Sequence, residues 1–202
     1  MRDMAKKDGY HHGDLRAGLV EAARALVEAN GPERLSLSDA CRAAGVSTAA
    51  PYRHFPDKDA LLFAVAQEGM ERQTVAMREA AAAHPLGSEA AIAAIGRAYV
   101  DFARREPGVF KLMFSLTRGH GDEAALVAQG EATFGIVLAQ IAARTGLAAT
   151  DPEVLRTGFK LWTFVHGLSF LLIDDKLGKM NLDALIDIDA VLADISRRFL
   201  AD

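Results

Sequence analysis

Apolar residues recur along most of this chain at steps of three and four, the spacing that lines one face of an α-helix, and no stretch alternates convincingly with period two. The pattern predicts an all-α protein. Leu15, Leu19, Ala22 and Leu26 form one stripe of a first helix that ends at Gly31. Leu37, Ala40, Cys41 and Ala44 share a face of a short second helix, with Ser36 as its N-cap and Gly45 where a left-handed residue would close it. Ser47 caps a third helix running through Tyr52 to about His54. Asp57 then caps a long helix carrying Leu61, Leu62, Val65 and Met70, which runs to about Ala83 and stops near Pro85. Ser88 caps the next, through Ile92, Ile95, Tyr99 and Phe102, ending before Pro107. That proline opens a short helix bearing Phe110, Met113 and Phe114. After a loop at 119–121, a helix spans about 122–145; Asp151 and Pro152 start another to about Lys176, and Asn181 caps the last, ending near Leu200.

Two short helices joined by a turn of a few residues, with another helix starting at once, read as a helix-turn-helix. Cys41 lies four residues before Gly45, at the inner crossing point where a small side chain is needed, and Val46 plugs the angle between the helices. Such a motif sets the first turn of its second helix at the floor of the DNA major groove. Residues 47–50 hold that place. Ser47 and Thr48 offer hydroxyls to bases or phosphates, Thr48 also a methyl, and Ala49 and Ala50 permit close approach.

The segment VSTAAPYRHFPDKDALL resembles the second half of the N-terminal domain of tetracycline-repressor-type (TetR family) transcription regulators, with Tyr52, His54, Phe55 and Lys58 at matching spacing. HHGDLRAGLVEAARALVEANG resembles the first helix of that domain, so the likeness covers roughly residues 11–70. Cys41 in place of the usual alanine and Pro51 in place of a bulky apolar residue are departures; the first is still small, and the second falls in the first helical turn, where few backbone donors lose a partner. The resemblance implies phosphate contacts from Ser36, Tyr52, His54 and Lys58, a backbone contact from Arg42, and a base or backbone contact from Arg53. Read without it, Ser36 is only a cap, Tyr52 a half-buried ring and Arg53 a solvated charge. It also implies residues 1–60 as a DNA-binding domain, ordered from about residue 11, and 61–202 as an effector-binding and dimerisation domain.

The helix from Asp151 carries two apolar stripes side by side. Val154, Gly158, Leu161, Val165, Leu168 and Leu172 form one; Leu155, Phe159, Trp162, His166, Phe170 and Ile173 form the other. Two stripes call for partners on two sides, unless both lie in one core. Leu185, Ile188, Leu192, Ile195 and Phe199 line the last helix. An isologous four-helix interface would place Val165, Leu168, Leu172, Leu192, Ile195 and Phe199 between two copies of the chain. WTFVHGLSFLL looks like the Trp, His, Gly signature of one TetR subgroup. The family arrangement implies a mainly apolar cavity formed by Phe102, Phe110, Met113, Phe114, Phe134, Phe159, Trp162 and His166, taking a small apolar effector with one polar group near His166.

Half of the 202 residues are apolar, enough for one sizeable core or two small ones. Nine basic and nine acidic residues balance over positions 1–60, so the charge of −4 belongs to the remainder. No strongly basic domain is present, and occupancy of DNA is expected to need a dimer. The single cysteine excludes a disulfide framework within one chain, and the start has no apolar core of a secretory signal. No run of about 18 consecutive apolar residues is present, so a cytoplasmic protein with no membrane span is expected. There is no nucleophile elbow, no phosphate-cradling glycine loop and no paired Cys or His at zinc spacing, so neither enzyme chemistry nor a cofactor or metal is expected. His11 with His12, and His120 with Asp122 and Glu123, are weak metal candidates; Cys41 is small-residue packing or a redox switch. The reading is a homodimeric, ligand-responsive repressor on a palindromic double-stranded DNA operator. Its rivals are a constitutive DNA-binding adaptor acting through a protein partner, and a helical carrier or enzyme without DNA binding.

Overall fold

The structure, a computed structural model, describes residues 12–47, 53–115 and 123–200. Every element among them is helical: α1 (His12–Asn30), α2 (Leu37–Ala43), α3 (Lys58–Ala82), α4 (Glu89–Arg105), α5 (Pro107–Ser115), α6 (Glu123–Thr145), α7 (Pro152–Ile173), α8 (Lys176–Lys179) and α9 (Ile188–Phe199), with a single 3-10 turn at Pro32–Arg34. Thr48, Ala49, Ala50 and Tyr52, the His11 and His120 candidates and the 119–121 loop lie outside the described residues.

Caps fall where short polar side chains meet apolar runs. Ser36, Asp57, Ser88 and Asp151 each accept a hydrogen bond from a backbone N–H of the helix they open. The end of α2 is a Schellman closure: Gly45 stands at φ 69, its N–H reaches Arg42 O at 3.2 Å, and the Val46 N–H reaches Cys41 O at 3.0 Å. The last helix departs from expectation. Asn181 sits in a left-handed turn at φ 57, and α9 starts only at Ile188, where the Asp187 carboxylate accepts from the N–H groups of Asp189 and Ala190. Likewise α7 ends at Ile173, because Asp175 turns the chain at φ 53 into the one-turn α8.

The largest core cluster is continuous from α1 and α2 through α3 to α4 and α5, joining Leu19, Val27, Cys41 and Phe55 to Val65, Phe102 and Phe110. In α1 the buried line is Leu19, Val20, Ala23 and Val27, with Leu15 and Leu26 at its edge. α3 packs on α1, α4, α5 and α6, while α4 packs on α7 and α9. Ala124–Thr145, nearly all of α6, is long and apolar enough to cross a membrane by length and composition. In this fold it is a wall: Thr133, Gln140 and Ile141 are buried, and the Gln140 side chain accepts from Gly87 N–H at 2.8 Å.

Candidate DNA-reading head and effector cavity

The described part of the reading head is held by its own polar contacts. Ser36 Oγ accepts from Asp39 N–H at 3.1 Å and donates to Asp39 Oδ2 at 2.6 Å, fixing the start of α2. Arg42 is exposed, 3.4 Å from Asp39; Ser47 and Arg53 are exposed, and His54 is half-buried. Lys58, in the first turn of α3, donates from Nζ to the Glu33 carbonyl at 2.8 Å. Phe55 is buried beneath the Arg16 guanidinium, which lies 5.4 Å from the ring centroid and ties α1 to the segment leading into α3. Cys41 is buried, and burial raises its thiol pKa, which leaves little thiolate for oxidation.

A cavity of about 490 Å³ opens between α3, α4, α5, α6, α7 and α9, within the size range of small-ligand pockets. Met70, Gln73 and Met77 of α3 form one wall; Ile95 and Tyr99 of α4 and Phe134 of α6 form others. Met113, Phe114, Phe134 and Trp162, predicted from sequence, line it. Phe102 and Phe110 do not: both are fully buried in the core behind it, because their helix faces are filled by neighbouring apolar side chains. Phe159 also does not line the cavity and is 58% exposed on the outer face of α7. Tyr99 and Gln73 were not anticipated as lining residues. The signal for Gln73 was an amide set between Met70 and Met77 on one helical face.

His166 is not a lining residue but stands directly behind one. Its ring is surrounded by Phe114, Phe170, Phe110 and Trp162 at centroid distances of 4.5, 5.1, 5.7 and 5.8 Å. Its Nδ1 lies 2.9 Å from Tyr99 Oη, and Trp162 Nε1 donates to the same oxygen over a long 3.4 Å. Indole N–H is only a donor, so the Tyr99 hydroxyl accepts from Trp162 and is free to donate to a neutral His166. Burial favours the same state, lowering the His166 pKa and raising that of Tyr99.

The cavity is mechanically joined to the reading head. α5, which carries Met113 and Phe114, is capped by Glu28 of α1, whose carboxylate accepts from Gly108 N–H at 3.0 Å and Val109 N–H at 2.8 Å. A Cβ on Gly108 would come 2.8 Å from Val27 O, so only glycine permits this approach. Beside it, Glu106 accepts two hydrogen bonds from Arg72 of α3, at 2.6 and 3.1 Å, and lies 3.9 Å from Arg24 of α1.

The stripe expected between two chains is turned inward. Leu168 and Leu192 are buried in a cluster with Val100, against which Val165 and Leu172 pack, while Ile195 and Phe199 pack against a second cluster around Ile92 and Ile141. α4 needs both α7 and α9 to cover its apolar face, and these are the side chains that do so. Of the other stripe, Leu155, Phe159 and Trp162 are exposed in the first half of α7, Trp162 also lining the cavity, while Phe170 and Ile173 pack half-buried against the core.

The described residues form a helical body with an apolar cavity, tied through α3 and α5 to the N-terminal helices. Residues 19–65 match the family described as bacterial regulatory proteins, tetR family, and residues 92–195 match the tetracyclin repressor-like C-terminal domain. The chain belongs to the TetR family of transcriptional regulators. No curated protein matches it. Among solved structures it is similar to a protein of unknown function from Rhodococcus sp. RHA1, with 29% identity, TM-score 0.77, and 96% of this chain and 98% of that one covered. It also shares the fold of the TetR family transcriptional regulator PfmR from Thermus thermophilus (17% identity, TM-score 0.63, coverage 91% and 97%). The fatty acid degradation regulator FadR from Bacillus halodurans has the same fold (13%, 0.67, coverage 91% and 97%).

Proposed function

We propose that this chain is a cytoplasmic homodimeric repressor that holds a palindromic operator until a small, mainly apolar effector enters the cavity between α3, α4 and α7. The observation that carries this reading is the continuity of the cavity wall with the reading head. α3 contributes Met70, Gln73 and Met77 to the wall, and its first turn contributes Lys58 to the head. α5 contributes Met113 and Phe114, and its N-terminus is fastened to α1 by Glu28. An occupant that shifts α3 or α5 therefore changes how each head is set, and in a dimer it changes the spacing of two heads. The exposed first half of α7, with Leu155 and Phe159, supplies apolar surface for an isologous pairing of two chains. Phosphate contacts fall to Ser36, Tyr52, His54 and Lys58, with Ser47, Thr48 and Ala49 facing bases.

Selection of bound sequences from a random DNA pool tests the operator half of this reading. A palindromic consensus with half-sites about one helical turn apart supports it; a consensus with a single unpaired half-site overturns the dimeric reading. For the effector half, linkage demands that any compound lowering operator affinity be bound less tightly in the presence of operator, by the same factor.

A further inference from the structure

Among the described residues, Gln73 brings to the cavity wall a polar group that the fold itself leaves unanswered. Gln73 is 2% exposed, lines the cavity from the middle of α3, and its Nε2 is buried without a hydrogen-bond partner. Of the other buried polar residues nearby, Ser196 also lines the cavity, from α9, and three are committed. Tyr99 is bonded to His166 and Trp162, and the hydroxyls of Thr74 and Thr133 lie 2.6 Å apart and bond to the helix carbonyls of Met70 and Gln129. A primary amide with no partner in an apolar chamber loses its hydration without compensation, a state the great majority of buried donors avoid. The unpartnered atom is the nitrogen, which only donates, so its missing partner is an acceptor, one that an occupant supplies when the amide turns toward the chamber.

Charge narrows the chemistry. Among the described residues lining the cavity there is no Lys, Arg or His, and the one formal charge is the carboxylate of Glu131, which is exposed at the edge. An anion would enter a mostly apolar space with no cation to meet it. From these observations we infer that the effector is a neutral, mainly apolar molecule carrying a carbonyl-type acceptor, seated with that oxygen on the Gln73 amide. This deepens, and rests on, the reading of the cavity as an effector site. It also gives that site a direct grip on α3, since the residue taking up the oxygen lies on the helix that starts at the reading head.

A shape-matched series tests it by calorimetry on the full chain: naphthalene, 2-acetonaphthone and 2-naphthoate. The ketone should bind wild type about five- to tenfold more tightly than naphthalene, the range of one net hydrogen bond, and the carboxylate no more tightly than naphthalene. Gln73→Met keeps the volume and removes the donor. It should erase the ketone's advantage, leave naphthalene affinity unchanged, and raise the melting temperature of the unliganded protein by about 3 °C. A ketone preference that survives Gln73→Met, a lower melting temperature of that variant, or tightest binding of 2-naphthoate to wild type would each overturn the assignment. Equal binding of ketone and naphthalene to wild type also overturns it, yet leaves the cavity standing as a site for apolar effectors. Failure of all three compounds to bind overturns both readings.

Discussion

His166 owes its protonation state to its neighbours. Five aromatic rings and one hydroxyl surround it, and burial holds its pKa below the ordinary value of 6.5. The unfolded chain therefore takes up the proton at higher pH than the folded one. The stability tied to this group is complete above the unfolded pKa and is lost as pH falls through the folded pKa. Melting temperature should drop on acidification from pH ~7.5 to ~5, below the ordinary histidine range, and drop less steeply in His166→Gln, which can still accept from Tyr99. Equal slopes in the two proteins would show that this proton is not coupled to folding. Lys58 makes a second residue-scale case. Its ammonium rests on the Glu33 carbonyl and stands at the head of α3. If it exchanges that carbonyl for a phosphate, Lys58→Ala should weaken all DNA sequences about equally and reduce the salt slope of binding by about one. A change in the preferred sequence would instead make Lys58 a base reader.

At the scale of elements, α5 is the piece through which cavity and reading head meet outside α3. Gly108 lets its first turn lie against the end of α1, and Glu28 caps it. Gly108→Ala must push α5 away from Val27, at a cost of about 1–3 kcal/mol for an overpacked contact. Glu28→Ala removes the cap without a steric change and should cost about 1 kcal/mol. Both variants should keep effector binding while reducing the effector's effect on operator affinity, measured as the ratio of operator Kd with and without effector. A ratio equal to wild type in both would leave α3 as the sole link.

For the whole molecule, Leu168 and Phe159 of α7 predict opposite fates for the same kind of substitution. Leu168 is buried against Val100 and Leu192. Leu168→Glu should unfold the chain or destabilise it by at least about 3 kcal/mol, since it places a charge in a core with no partner. Phe159, 58% exposed, belongs to the outward face. Phe159→Glu should fold with near-native thermal stability and sediment as a monomer. A dimeric Phe159→Glu protein would move the interface off this face of α7, and a monomeric, folded Leu168→Glu protein would restore the inward stripe to the interface.

The sequence by itself determined the helices and most of their ends, because a cap is a local event: Ser36, Asp57, Ser88 and Asp151 need only the next few backbone N–H groups. It also determined the helix-turn-helix and the family, since those depend on typed residues at fixed spacing. Local chemistry misled it at Asn181, whose side chain suits a left-handed turn as well as a cap, while Asp187 took the capping role. Periodicity showed that α7 has two apolar stripes but carried no sign for which faces inward; that was decided by α4, which needs Val165, Leu168 and Leu192 to cover it. The cavity followed the same rule. Aromatic content pointed to an apolar chamber, yet Phe102 and Phe110 went to the core and Phe159 to the surface, while Gln73 and Tyr99 came to the wall. A residue's neighbours along a helix are fixed by its spacing, whereas what stands across from it depends on how six helices, brought together from distant parts of the chain, divide the space between them.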